Sequence, residues 1–226
     1  MQEGRTIKKI VQLDNHIHMA YSGLTADGRI LANKARIECQ SYRLNYDDSP
    51  PVEYVSKFIA ETKQKYTQKG GVRPFGISCL VAGFDISAKP HLYYTDPSGS
   101  FSEWKAQSCG RNSKQVCEFL EKHYKDGLSN EDGLKLVVKA LLDVVESGNK
   151  NIEVMVIGQG ETRLLTDEEI EKLIEMAKQW WLWFSIESVL DIDSITHINY
   201  YCAESTHFLL IRAQIIPPKY VINPDN

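Results

Sequence analysis

The chain has 226 residues, 42% hydrophobic and 25% charged, a composition that excludes a disordered segment and is ample for a buried core. A net charge of −4 speaks against a dedicated nucleic-acid binder, and no run of roughly 18 uncharged apolar residues marks a membrane span. The five cysteines (Cys39, Cys79, Cys109, Cys117, Cys202) include no C-x-x-C pair, so they read as reduced thiols of a cytosolic or nuclear protein.

Charge is unevenly spread. Residues 1–175 carry 23 basic and 25 acidic side chains; residues 176–226 carry 3 and 5, with Trp180, Trp181 and Trp183 close behind the seam. The two parts are therefore read separately, as a body of 1–175 and a tail of 176–226.

In the body, Ile10 to Tyr21 is rich in strand formers and predicts one strand. Thr25 opens a helix to about Tyr46, with Ile30, Ile37 and Leu44 recurring every seven residues along one face. After Asp47-Asp48-Ser49-Pro50-Pro51, Ser49 or a neighbour caps a second helix. Its buried stripe is Val52, Val55, Ile59, Thr62 and Tyr66, and Gly70-Gly71 supplies a glycine C-cap. Strands follow at Ile77–Phe84, His91–Thr95 and Phe101–Cys109, the last two joined through the turn Asp96-Pro97-Ser98-Gly99. Asn112-Ser113 starts a helix bearing Val116, Phe119, Leu120 and His123. Ser129 and Asp132 form a capping-box pattern before Leu134, Val137, Val138, Leu141, Leu142 and Val145, a helix that Gly148 stops. Ile152, Val154 and Val156 pair with Arg163–Leu165 as a hairpin, and Thr166 with Glu169 caps a helix through Ile170, Leu173 and Ile174. Helices arriving in pairs between blocks of strands do not build a doubly wound parallel sheet; they predict an α+β layered sandwich.

Chemistry-bearing patterns are few. His16-x-His18 on one strand points two imidazoles to the same side, but no third or fourth metal ligand stands at a recognisable spacing, so both read as solvent-facing strand histidines. Gly158-x-Gly160 lacks the third glycine of a dinucleotide fingerprint and is explained by the hairpin. There is no G-x-S-x-G elbow, no cysteine with an adjacent histidine, and no Gly-Thr or Gly-Cys junction that cleavage would turn into an N-terminal nucleophile. His123 reads as a packing or capping residue. The residues predict no catalytic site, no metal site and no cofactor.

Several strings together carry a resemblance. Lys9-Ile-Val-Gln-Leu-Asp14, Ser22-Gly-Leu-Thr-Ala-Asp-Gly-Arg29, Lys34-Ala-Arg-Ile-Glu-Cys-Gln-Ser41, Tyr66-Thr-Gln-Lys-Gly-Gly-Val-Arg-Pro-Phe-Gly76, Ala82-Gly-Phe-Asp85 and Tyr94-Thr-Asp-Pro-Ser-Gly99 resemble the 20S proteasome α-subunits. Arg5-Thr-Ile-Lys-Lys9, Glu118-Phe-Leu-Glu-Lys122 and Gly148-Asn-Lys-Asn-Ile-Glu153 look most like the α4 ring position.

The resemblance implies a four-layer αββα sandwich of the Ntn-hydrolase-like type. It also implies a non-catalytic role in α-ring assembly, antechamber and activator docking within ubiquitin-dependent protein degradation, in cytoplasm and nucleus. The partners it implies are neighbouring α-subunits, β-subunits and the C-terminal tails of activators, without nucleic acid or membrane. The family's tail pocket maps onto Lys9, whose ammonium would meet a terminal carboxylate, and onto Ser22, Gly23 and Leu24, where glycine admits a close backbone.

The family's opening Tyr-Asp-Arg, Ser-Pro-Asp-Gly and Gln-Val-Glu-Tyr-Ala segment, its first helix and two strands have no counterpart here, so the body reads as truncated at its start. That truncation leaves strand edges open and puts gating in question. The tail departs from the family's Lys- and Glu-rich end: it reads as extra β structure near His207–Ile216, a membrane-interface or partner-binding patch, or the product of an altered gene model or splice form. The rival functions are an N-terminal-nucleophile amidase or peptidase relative, and a truncated isoform acting as a free binding module.

Overall fold

The computed structural model describes residues 8–144, 152–158, 162–187 and 208–213. The stretch Ile10–Tyr21 is a hairpin rather than one strand: β1 (Ile10–Asp14) and β2 (Ile17–Gly23) run antiparallel. Asp14 makes the break. Its carboxylate accepts the Asn15 amide at 2.8 Å and a forked bond from Arg43 at 3.1 and 2.9 Å, and this fixes the turn at Asn15-His16.

α1 (Thr25–Tyr46) matches its predicted bounds, but the seven-residue face points outward. Ile30, Ile37 and Leu44 are 51, 70 and 87% exposed, while Leu31, Ala32, Ala35 and Cys39 on the adjoining stripe are buried. α2 (Val52–Gln68) buries Val52, Val55 and Ile59 as its periodicity requires, each fully buried aliphatic contributing roughly 1.5–3 kcal/mol. Its cap comes from elsewhere: no local side chain caps it, and Asp85 Oδ1 accepts the Val52 amide at 3.0 Å. At its far end Lys69 is extended, so the helix stops without the expected glycine cap.

β3 (Ile77–Phe84), β4 (Pro90–Thr95) and β5 (Phe101–Glu103) complete a five-stranded antiparallel sheet in the order β1-β2-β3-β4-β5. β5 ends at Glu103, short of the predicted Cys109. The β4–β5 turn is held by Asp96 Oδ1, which accepts the Gly99 and Ser100 amides at 3.0 Å each. Gly99 has φ +93°, and a Cβ there would lie 2.6 Å from the Ala60 carbonyl oxygen, so glycine is required.

The second half supplies α3 (Ser113–His123), α4 (Asn130–Leu142), β6 (Ile152–Ile157), β7 (Thr162–Leu164), α5 (Asp167–Glu187) and β8 (Phe208–Ala213). Both capping patterns form. Ser129 Oγ accepts the Asp132 amide at 3.2 Å, and Glu169 Oε2 accepts the Thr166 amide at 2.9 Å. α4 ends at Leu142, earlier than predicted; Val145, Gly148 and Gly160 lie outside the described residues. α5 runs unbroken through position 176, and β8 pairs with β6 in a three-stranded sheet ordered β7-β6-β8.

The layers follow from which faces are apolar. α1 and α2 cover one face of the first sheet over Ile17, Met19, Tyr21, Val55, Ile59, Cys79 and Val81. The other face, with Ile10, Ala20, Ala82, Phe84 and Leu92, meets Ile157 and Met155 of the second sheet. α4 and α5 close the far side over Ile152, Val154, Ile170 and Ile174, and α3 packs on α4 through Val116, Leu120, Leu136 and Ala140. The result is the αββα sandwich that the resemblance implies, and a form of the α+β layered sandwich read from the element order.

Candidate functional site

The predicted pocket residues gather where β1 begins and β2 ends. The Lys9 carbonyl accepts the Tyr21 amide at 3.1 Å, and the Lys8 carbonyl accepts the Tyr21 hydroxyl at 2.9 Å. Lys9 is thereby fixed across from Tyr21, and Ser22, Gly23 and Leu24 follow directly in the chain. Tyr21 can serve as this anchor because Gly28 leaves room for its ring: a Cβ at Gly28 would lie 2.3 Å from Tyr21 Cε2.

Gly23 adopts φ +120°, and a Cβ there would stand 2.1 Å from the Gly76 carbonyl oxygen, a position no side-chain-bearing residue can occupy. That same oxygen accepts the Leu24 amide at 3.1 Å. Leu24 is the N-cap of α1, no side chain caps the helix, and its own side chain is half exposed. A tightly held glycine backbone and a half-exposed leucine thus sit beside the N-terminus of α1, with the Lys9 backbone on the neighbouring strand.

Five further residues shape this corner and escape a motif-by-motif reading. Gly110 (φ +108°) abuts Ser22, since a Cβ there would lie 2.5 Å from Ser22 Oγ. Its neighbour Cys109 feels both lysines of the region: burial pushes its thiol up to about 12, against the pull of Lys63 and Lys9. On the opposite side, buried Asp27 accepts a forked bond from Arg73 at 2.6 and 2.8 Å and the Gly76 amide at 3.0 Å. The Arg73 hydrogen bond holds the Asp27 carboxyl below its usual value, with burial working the other way. Asp27, Arg73 and Gly76 lay within the matched strings, but nothing local said that they meet.

Elsewhere the titratable groups are engaged structurally. His16 donates from Nε2 to the Pro50 carbonyl at 2.9 Å, and it lies in the turn. His18 is buried with Nδ1 unpartnered, which corrects the expectation of two solvent-facing histidines: β2 is covered on both faces. His123 bonds the Phe119 carbonyl at 2.8 Å and stacks on that ring at 4.3 Å, a packing role. His91 lies between Glu103 at 2.6 Å and Asp85 at 3.2 Å. Lys63 is fully buried and donates to Thr95 Oγ1 at 2.8 Å and to the Thr95 carbonyl at 3.2 Å. Burial raises the thiols of Cys39 and Cys79, so neither is a ready thiolate at neutral pH. Among the described residues no three His, Cys, Asp or Glu side chains converge to hold a metal, and no helix is long and apolar enough to cross a membrane.

Comparison with known proteins gives a consistent result. Residues 1–157 match the family model described as proteasome subunit. The chain is similar to proteasome subunit alpha type-7 of Dictyostelium discoideum, at 59% identity over 179 residues covering 79% of this chain and 71% of the relative. It is similar to proteasome subunit alpha type-7-B of Arabidopsis thaliana at 58% over 172 residues (76% and 68%). With proteasome subunit alpha type-7 of Cicer arietinum the figures are 52% over 176 residues (77% and 70%).

Proposed function

This chain belongs to the proteasome subunit family, and on that premise we propose that it is a non-catalytic α-ring subunit of the 20S core. In this role it joins neighbouring subunits through α1 and receives activator tails beside Lys9. The observation that carries assembly is the outer face of α1. Ile30, Ile37 and Leu44 stay exposed at strict seven-residue spacing, while Arg36 and Arg43 beside them turn back onto the Gln12 carbonyl and Asp14 of the same chain. A narrow aliphatic seam is what a helix presents to another helix, and it fits a neighbouring subunit's helix with an aliphatic seam of its own.

The docking role rests on the geometry of Lys9, Ser22, Gly23 and Leu24, with the ammonium as carboxylate receptor and the Gly23 backbone as the close-approach surface. The non-catalytic reading is supported by relatives that are α-type subunits and by the poorly ionised thiols of buried Cys39 and Cys79 and of half-buried Cys109. The free cysteines Cys39, Cys79, Cys109 and Cys117 suit the reducing cytosol and nucleus, where we place the protein.

The test is incorporation. A tagged full-length chain, fractionated by gradient sedimentation and identified by mass spectrometry, is expected in particles of 20S size together with other subunits. Recovery solely as monomer or aggregate would overturn the assignment.

A further inference from the structure

The Lys9 corner depends on a loop whose shape is imposed from a distance. No side chain caps the helix at Leu24; its carbonyl accepts the Gly28 amide at 3.1 Å within the first turn, while its amide is bonded across to the Gly76 carbonyl, the group against which Gly23 also packs. Gly76 immediately precedes β3, and its own amide is held by Asp27 Oδ2 at 3.0 Å. Asp27 lies in the first turn of α1, buried, where the helix N-terminus favours its negative charge. Arg73, 64% exposed, closes the arrangement by donating Nη1 and Nη2 to the two Asp27 oxygens at 2.6 and 2.8 Å, and Nη1 also reaches the Pro74 carbonyl at 3.1 Å.

We propose that Asp27 and Arg73 are positioning residues for the peptide-carboxylate pocket, setting the height of Ser22-Gly23-Leu24 relative to Lys9 through the peptide unit of Gly76. The proposal rests on the reading of Lys9 as a tail receptor. Its physical content is that one carboxylate ties α1 to the segment before β3. The Gly76 amide is held through Asp27 and the Gly76 carbonyl is held by Leu24, so both ends of one residue's backbone are fixed. A bidentate guanidinium–carboxylate fork allows little rotation, whereas a single-point cation or a neutral amide lets the Asp27 carboxylate swing and the Gly76 carbonyl move with it. Because Gly23 tolerates no closer approach to that oxygen, a shift of Gly76 is passed to Gly23 and Leu24 rather than absorbed.

The experiment uses assembled particles carrying the tagged full-length chain. They are challenged with a photo-crosslinking peptide that ends in a free carboxylate, and with its C-terminal amide. Label on this chain is counted by mass spectrometry, so that pockets on other subunits do not contribute. Wild type is expected to take the carboxylate peptide in preference to the amide, and Lys9→Ala to lose that preference. Arg73→Gln, which leaves a neutral side-chain N–H to reach Asp27, is expected to incorporate normally, with a lower melting temperature because a buried carboxylate loses its cation. It should nonetheless reduce carboxylate-dependent labelling by about five- to tenfold and speed hydrogen exchange at the Leu24 amide. Asp27→Asn should do the same, and Arg73→Lys should fall in between. Labelling and Leu24 exchange equal to wild type in Arg73→Gln, with Lys9→Ala still defective, overturn the positioning role and leave the receptor reading standing. Full carboxylate preference in Lys9→Ala overturns the receptor reading and the positioning role with it.

Discussion

At position 18 an imidazole sits 2% exposed in the middle of β2, on the same side as Ala20 and so facing the second sheet. Burial, with a smaller contribution from His16, lowers its pKa from 6.5 to about 4. The sign follows from that direction. The neutral ring belongs to the fold, and protonation favours the unfolded chain, so the stability present above pH 6.5 is lost as pH falls from there toward 4. The full difference is worth about 3 kcal/mol. Replacing His18 with Leu should flatten the dependence of the urea midpoint on pH between 7 and 4, with little change at pH 8. An undiminished acid slope in the variant would place the sensitivity in another group. Nothing in His16-x-His18 as a string separates these two rings. Their different fates come from the turn at Asn15-His16 and from a second sheet whose strands lie far along the chain.

Helices were legible where their signals are local. The bounds of α1, the buried stripe of α2 and the caps at Ser129 and Thr166 all depend on residues within one or two turns. What escaped the sequence depends on distant partners: the α2 cap at Asp85, 33 residues away, and the Asp27–Arg73 fork, 46 residues apart. The pocket divides in the same way, since Lys9, Ser22, Gly23 and Leu24 could be marked by resemblance, but the Gly76 and Gly110 contacts that shape them could not. The α1 face shows a third case, in which periodicity finds a face without telling whether it is covered by this chain or by another. Ile37, 70% exposed, offers the check. Ile37→Glu removes no intrachain core contact, so the chain's own stability should change by no more than about 0.5 kcal/mol. A charge at the centre of the seam should nevertheless displace the tagged chain from 20S-sized particles into lighter gradient fractions. Incorporation at the wild-type level would show that the seam is not an assembly surface.

Across the whole molecule, the two halves of the sandwich are closed by pairings of very different span. β1–β2 is a short hairpin, β2–β3 encloses both α1 and α2, and β6–β8 encloses β7 and α5. Long-range pairing contributes stability only after the intervening chain has been ordered, so β8 is the element whose removal should be felt most cleanly. Six residue pairs link β6 to β8, from Ile152–Ala213 to Ile157–Phe208, whereas β7 offers β6 only three. Without β8 the second sheet, among the described residues, is a short two-stranded ribbon, which is marginal alone, and one side of β6 becomes an open edge. A chain ending at residue 207 should therefore lose about 2 kcal/mol or more, allowing about 1 kcal/mol net per ladder bond less the entropy of ordering the strand. For a molecule of this size that lowers the melting temperature by about 4–8 °C. The exposed β6 edge should also raise the aggregated fraction in light scattering as concentration increases. If the shortened chain melts with the parent and scatters no more than it, then the first sheet and its helices hold β6 and β7 without help from β8, and the β6–β8 ladder contributes nothing to stability.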